Sequence, residues 1–265
     1  MAQLTALIRL VHPLPTALNA VVAGALTSLA GGTASQAALA ALTMLGVHGS
    51  IGALNDLVDR GDDAGRPEKP LATGAAGSRS ARTIVVLGAS VGFGAAGLLG
   101  PAALGFALAG AALGYLYDLW LKRTPAALLP FAIGVALLPP FAWSAAAVPL
   151  PGAILFLSIA AVPGGGALAL QNALADIERD TVAGSGSLAV RLGAVWTLAV
   201  AGVLHLVAWS LAGSVTAVPG AQVAGGTLMA VGLLLGSSSS PARRRRGWEA
   251  SALGLFACAL GVAAG

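Results

Sequence analysis

The sequence predicts an all-α integral membrane protein, with nine transmembrane helices arranged around a central cavity. Three observations carry that reading. Of the 265 residues, 57% are hydrophobic and only 9% are charged, whereas a soluble domain is about 45–50% apolar and about 25% charged. This chain has too few polar residues to cover a water-facing surface. The apolar residues gather in runs of the ~20 residues a helix needs to cross a bilayer, not in the ~10-residue alternating segments of a membrane barrel. Finally, after Arg9, charge falls only in or beside every second gap between runs.

The runs are 14–31, 36–57, 81–99, 101–119, 126–147, 152–175, 192–213, 217–236 and 248–264. The first follows Arg9 and precedes small residues, as a signal peptide would. Its length and the lack of a soluble domain behind it argue for a retained helix. Only Gly100-Pro101 separates the third run from the fourth. The sixth contains "PGGGALAL", 163–170. Glycines weaken a helix, but small residues let membrane helices pack closely, and packing is the role expected here. His205 in the seventh run is expected to be structural. The lone Cys258 excludes an internal disulfide. The whole chain, 1–265, reads as a single transmembrane domain.

The loops after the odd-numbered runs, "GGTAS", "GP", "VPLPG" and "GSVTAVPG", carry no charge. All 14 Lys and Arg lie at the N-terminus or in or beside the even loops, and all ten acids lie in or beside those loops. The positive-inside rule then predicts a cytoplasmic N-terminus and cytoplasmic even loops. Nine spans place the C-terminus outside the inner or plasma membrane. "RRRR" at 243–246 reads as a topology determinant that touches anionic headgroups.

Against this apolar background, four aspartates crowd into "NDLVDRGDDAGRPEKP", 55–70. Asn55, Asp59 and Asp63 are spaced four apart. The sixth loop repeats the spacing in "QNALADIERD", 171–180, with Asn172, Asp176 and Asp180. Residues four apart on a helix differ by about 40°, so each trio forms a stripe on one face. Asp56 joins the first stripe, while Asp62 and Glu178 point elsewhere. If the helix frays at Gly61, Asp63 can still curl back. Both arrays end an even-numbered helix and so belong to the same membrane face.

Carboxylates this close repel one another unless cations intervene. Oxygen-only, acid-rich donors suit Mg²⁺ rather than Zn²⁺. Mg²⁺ takes one or two carboxylates and completes its shell with water and substrate phosphate. Two arrays facing each other across a cavity are therefore expected to hold Mg²⁺ and a diphosphate, with Arg66, Lys69 and Lys122 neutralising the remainder.

The motifs resemble the two signatures of the UbiA superfamily of intramembrane prenyltransferases: "NDLVDRGDD" matches the first and "DIERD" the second. "GRPEKPLATG", "YDLWLKRT" and "DTVAGSGSLAVRLG" are similar to the family's flanking segments. The resemblance covers most of the chain and implies nine helices. It implies Asp56, Asp59, Asp63, Asp176 and Asp180 as metal-binding catalytic residues. It also implies Asn55, Arg66, Lys69, Tyr117, Lys122 and Asn172 as substrate-binding residues. His48, two turns deeper than Asn55, either orients an acceptor or bonds a neighbouring helix; Asn19 poses the same choice. The departures are His12 where many members have Arg, Asp118 where Ser is frequent, Gly186 where a basic residue is common, and Ser187 for Thr. They are expected to leave the metal–diphosphate site untouched.

The chemistry implied is ionisation of a prenyl diphosphate, with Mg²⁺ as Lewis acid, followed by capture of the allylic cation by a small hydrophobic or aromatic acceptor. Apolar walls exclude water, and membrane lipid surrounds the site. No nucleic-acid partner is expected. A terpene cyclase on the same scaffold is the alternative. A transporter fits less well, because coupled carriers place ionisable groups near the midplane.

Overall fold

The structure, a computed structural model, describes residues 2–265, and every regular element among them is helical. In chain order these are α1 (Ala2–Leu10), α2 (Pro13–Leu29), α3 (Ala34–Val58), α4 (Ser78–Leu99), α5 (Pro101–Leu116), α6 (Leu128–Ala145), α7 (Gly152–Leu174), α8 (Ile177–Val182), α9 (Leu188–Gly213), α10 (Pro219–Gly236) and α11 (Pro241–Ala263). A π-helical turn, Tyr117–Leu121, extends α5, and a 3₁₀ turn, Pro125–Ala127, leads into α6.

Among the described residues, seven helices are long and apolar enough to cross a membrane, or eight if α1 and α2, bent by 58°, form one span. Each expected run coincides with one of the helices from α2 to α7 or α9 to α11. The short helices α1 and α8 were not anticipated. Large apolar side chains such as Leu98, Val195 and Leu234 are exposed, the arrangement a lipid-facing surface requires.

Local chemistry explains the boundaries. Proline occupies the first turn of α2, α5, α10 and α11, where its missing N–H costs nothing. A capping box opens α3: Gln36 N–H donates to Thr33 Oγ1 at 3.2 Å, and Thr33 N–H to Gln36 Oε1 at 2.8 Å. The break between α4 and α5 falls at Gly100, whose φ of 118° is open to glycine and strained for other residues.

The chain divides into two compact units. The first runs to Leu119 and includes Phe141–Pro149. Within it α3 is central, packing on α2, α4 and α5. Its end carries the first aspartate array.

The second unit comprises Trp120–Pro140 and Leu150–Gly265. Here α7 packs on α9 and α11, and α10 pairs with α11. The expected role of the 163–170 glycines holds: a Cβ on Gly165 would lie 2.5 Å from the Phe131 carbonyl oxygen. His205 is buried and bonded to Gln171, Nε2 to Oε1 at 2.9 Å, a structural role as expected.

One boundary differs in a way that matters. The arginines at 243–246 lie inside the first turns of α11, not in a loop, and Arg244 is buried at 7% exposure. Proline and the serines before it start the helix early, so one arginine is rotated into the protein. The headgroup reading fails for Arg244.

Candidate active site

The first array lies where α3 runs out. Its backbone stays coiled past the helix end, since Asp59 N–H donates to Asn55 O at 2.9 Å and Asp63 N–H to Asp59 O at 2.8 Å. Asp63 thus curls back as expected and is 4% exposed; Asp56 is 2% exposed. Asp59 is half-buried and Asp62 is exposed.

Two basic residues of the following loop fold onto this array. Lys69 Nζ lies 2.6 Å from Asp56 Oδ1 and 3.3 Å from Asp63 Oδ2. Arg66 donates through Nη1 to Asp63 Oδ1 at 3.1 Å and through Nε to Glu68 Oε1 at 2.7 Å. The loop is tied by short backbone bonds, Arg66 N–H to Asp63 O at 3.0 Å and Lys69 N–H to Arg66 O at 3.1 Å. These turns are what bring the cations round.

Two further residues join the array, both among the departures expected to leave it untouched. His12, in the left-handed region at φ 49°, places Nε2 2.9 Å from Asp56 Oδ1. Asp118, 1% exposed in the π turn, accepts from Asn55 Nδ2 at 2.9 Å. A carboxylate only accepts, so the Asn55 amide nitrogen must face it and the Asn55 carbonyl oxygen is turned the other way. The expectation is corrected: both substitutions sit in the site. The signal in the sequence was their place in the family segments, since ionisable side chains are costly within a membrane protein and mark functional positions.

Tyr117 begins the same π turn and is half-buried; π turns cluster at functional sites. Ser50 and Tyr115, a little deeper, share a hydrogen bond of 2.6 Å. His48 is half-buried within α3, and the Asn19 amide bonds to its own helix at Pro15 O, 2.9 Å away.

The second array is in the other unit. It does not form one continuous helical stripe: α7 ends at Leu174, Asp176 takes the cap position of α8 with φ −116° and ψ 8°, and Asp180 lies within α8. The register survives the break, since Asp180 N–H still donates to Asp176 O at 2.9 Å. Arg179, unassigned by the sequence reading, sets Nη2 3.2 Å from Asp176 Oδ2 and 3.9 Å from Asp180 Oδ1. Asn172 is exposed, and Asp176 and Asp180 are half-buried. On the back of α8, the Arg244 guanidinium holds the Glu178 carboxyl below the usual carboxylate range. Lys122 is half-buried just beyond the π turn, and Arg123 is exposed. Ser187 caps α9 by accepting from Val190 N–H at 3.4 Å.

A model of the UbiA prenyltransferase family matches residues 14–260. The chain belongs to that family. Comparison with curated protein sequences gives no match. Among solved structures, a UbiA homologue from Archaeoglobus fulgidus bound to GPP and Mg²⁺ superposes with a TM-score of 0.74 at 18% identity, covering 97% of this chain and 99% of that one. A UbiA homologue from Aeropyrum pernix K1 in its apo form gives 0.70 at 21% identity, covering 94% and 96%. The structure of a digeranylgeranylglyceryl phosphate synthase in membranes gives 0.68 at 16% identity, covering 98% and 99%. These likenesses establish the UbiA fold for this chain.

The donor set suits a hard divalent cation. In the first array every acidic donor is an oxygen, and the buried Oδ2 of Asp56 has no hydrogen-bond partner among the described residues. An unsatisfied carboxylate oxygen at depth is costly and is the atom a cation would claim. The carboxylates are at present drawn onto Lys69 and Arg66, and no three His, Cys, Asp or Glu side chains converge as a preformed metal cage among the described residues.

Proposed function

We propose that this UbiA-family chain transfers a prenyl group from a prenyl diphosphate to a small aromatic acceptor within the membrane, with Mg²⁺ as cofactor. The observation that carries the reading is the pair of aspartate arrays, each already gripped by basic side chains, in a chain otherwise almost free of charge. Salt-bridged carboxylates of this kind can trade their cations for a metal–diphosphate pair with little change in net charge. The homologue bound to GPP and Mg²⁺ supports both partners.

In this reading Asp56, Asp59, Asp63, Asp176 and Asp180 are the metal-binding residues. Mg²⁺, when bound, supplies Lewis acidity that makes diphosphate a better leaving group. The chain's own residues do the rest. Lys69 and Arg66 release Asp56 and Asp63 and turn to the phosphate oxygens, so the cations that neutralise the resting array become the donors that hold substrate. Lys122 adds a mobile point charge for a non-bridging oxygen. Asn55, fixed by Asp118, Asn172 and Tyr117 offer polar contacts, and His48 lies deeper, toward the acceptor. The apolar helix walls keep water from the allylic cation. The even loops, with their basic excess, face the cytoplasm, and the C-terminus lies outside.

The test is product analysis with the purified protein in lipid nanodiscs, given geranylgeranyl or farnesyl diphosphate, Mg²⁺ and a panel of aromatic acceptors. Prenylated acceptor formed only with Mg²⁺ is expected. Release of a hydrocarbon without any acceptor would mean a cyclase and overturn the proposal.

A further inference from the structure

We infer that Arg244 is a positioning residue that clamps the short helix bearing the second aspartate array. The inference rests on the proposed role of that array, but its geometry stands independently.

Four consecutive arginines on a helix are about 100° apart, so they cannot all face one way. Arg243, Arg245 and Arg246 are exposed; Arg244 alone is buried. A buried guanidinium needs its donors satisfied, and each of the partners it finds here belongs to a different segment. Nε donates to Ser238 O at 2.6 Å, in the turn between α10 and α11. Nη1 donates to Leu174 O at 3.1 Å, and to Glu178 Oε1 and Oε2 at 2.7 and 2.9 Å. Leu174 is the last residue of α7, so its carbonyl belongs to the turn whose oxygens a helix leaves without intrahelical partners. A cation at that end also meets the negative pole of the helix.

The contacts bracket the array. Leu174 lies two residues after Asn172 and two before Asp176. Glu178 lies midway between Asp176 and Asp180, about 200° of helical turn from each. Arg244 therefore holds the back of α8, and the two aspartates are carried on the opposite side. This matters because α8 has only six residues, too few to persist as a helix unaided. Ile177 packs with Leu174 and Ala189, which seats the start of α8. Arg244 fixes its rotation and closes the break at Ala175–Asp176. Glu178 is 62% exposed at its side chain, so its meeting with a buried arginine is not a by-product of its own burial.

The experiment uses the full chain in lipid nanodiscs. Hydrogen–deuterium exchange is followed in peptides covering 172–183 without metal or substrate, alongside the Mg²⁺ dependence of prenyl transfer. Arg244→Met is expected to raise exchange selectively in 175–183. Arg243→Met and Arg245→Met should leave it unchanged. Where activity is measurable, the Mg²⁺ concentration for half-activation should rise about 10- to 100-fold, the usual cost of losing a residue that orients metal ligands. Arg244→Lys should rescue only partly, because an ammonium lacks the planar fork. Should Arg244→Met fail to accumulate, Glu178→Gln tests the same clamp while keeping the Arg244 carbonyl bonds: exchange should rise in 177–182 and not in α11. Unchanged exchange in 175–183 in the accumulating variant would overturn the inference, as would a rise confined to α11. Absence of prenyl transfer with the exchange pattern as expected would count against the proposed function and leave the clamp standing.

Discussion

Replacing Lys69 with Met separates two descriptions of the first array. In one, Lys69 is a permanent part of the fold. In the other, it holds the carboxylates in readiness and gives them up to Mg²⁺. Its Nζ touches Asp56 at 2.6 Å and Asp63 at 3.3 Å, and its side chain is 14% exposed against 2% and 6% for the two partners. Burial this deep leaves little solvent screening. A hydrogen bond to a charged group contributes about 1.5–3 kcal/mol. The larger cost of about 3–5 kcal/mol for stranding a buried charge does not apply, because His12 remains 2.9 Å from Asp56 and Arg66 3.1 Å from Asp63. Without divalent metal, Lys69→Met should therefore lose about 1.5–3 kcal/mol. The same energy no longer opposes Mg²⁺, so the metal should bind roughly 10- to 150-fold tighter, at about 1.4 kcal/mol per decade. Productive use of the diphosphate should nevertheless fall, since a phosphate donor is gone. The assay is thermal unfolding in nanodiscs over a Mg²⁺ titration: the mutant starts lower and recovers at lower Mg²⁺ than the parent, because a ligand that binds only the folded state stabilises it by mass action. A mutant that Mg²⁺ fails to stabilise would refute the exchange of Lys69 for metal.

Other outcomes follow from the same geometry. Asp59→Ala and Asp176→Ala should each abolish turnover while the protein still accumulates in membranes; near-normal activity of either with Mg²⁺ present would remove that array from the site. Lys122→Ala should weaken diphosphate use by roughly 10- to 150-fold, the value of one charge-assisted bond, whereas Arg123→Ala, at an exposed position, should have little effect. Steady-state kinetics in diphosphate decide the pair, and equal small losses would reduce both to topology determinants. Asp118→Asn presents an amide that can donate as well as accept, so the Asn55 side chain loses its fixed orientation; kcat/KM for the diphosphate should drop about 10- to 100-fold, and an unchanged value would mean Asn55 needs no orienting. A reporter fused after Gly265 should read as external, and a cytoplasmic signal would contradict the orientation inferred from the loops.

Much of this protein was legible in its residues because the relevant physics is local. A bilayer demands long apolar runs whose backbone bonds close within the segment, so composition alone identified the helices from α2 to α7 and α9 to α11. Gly100-Pro101 was enough to divide α4 from α5, since only glycine takes its φ comfortably and proline starts the next helix. The four-residue spacing of Asn55, Asp59 and Asp63 and of Asn172, Asp176 and Asp180 likewise marked the arrays, because helical register is a property of neighbours in sequence. Tertiary structure alone decided what those arrays touch. His12 reaches Asp56 across 44 positions, Asn55 reaches Asp118 across 63, and Arg244 reaches Glu178 across 66. Each contact depends on where packed helices end and how each is rotated about its axis, and a shift of one residue turns a side chain by about 100°. Sequence spacing carries no such information between elements. Four identical arginines in a row look equivalent in the chain, and packing chose Arg244.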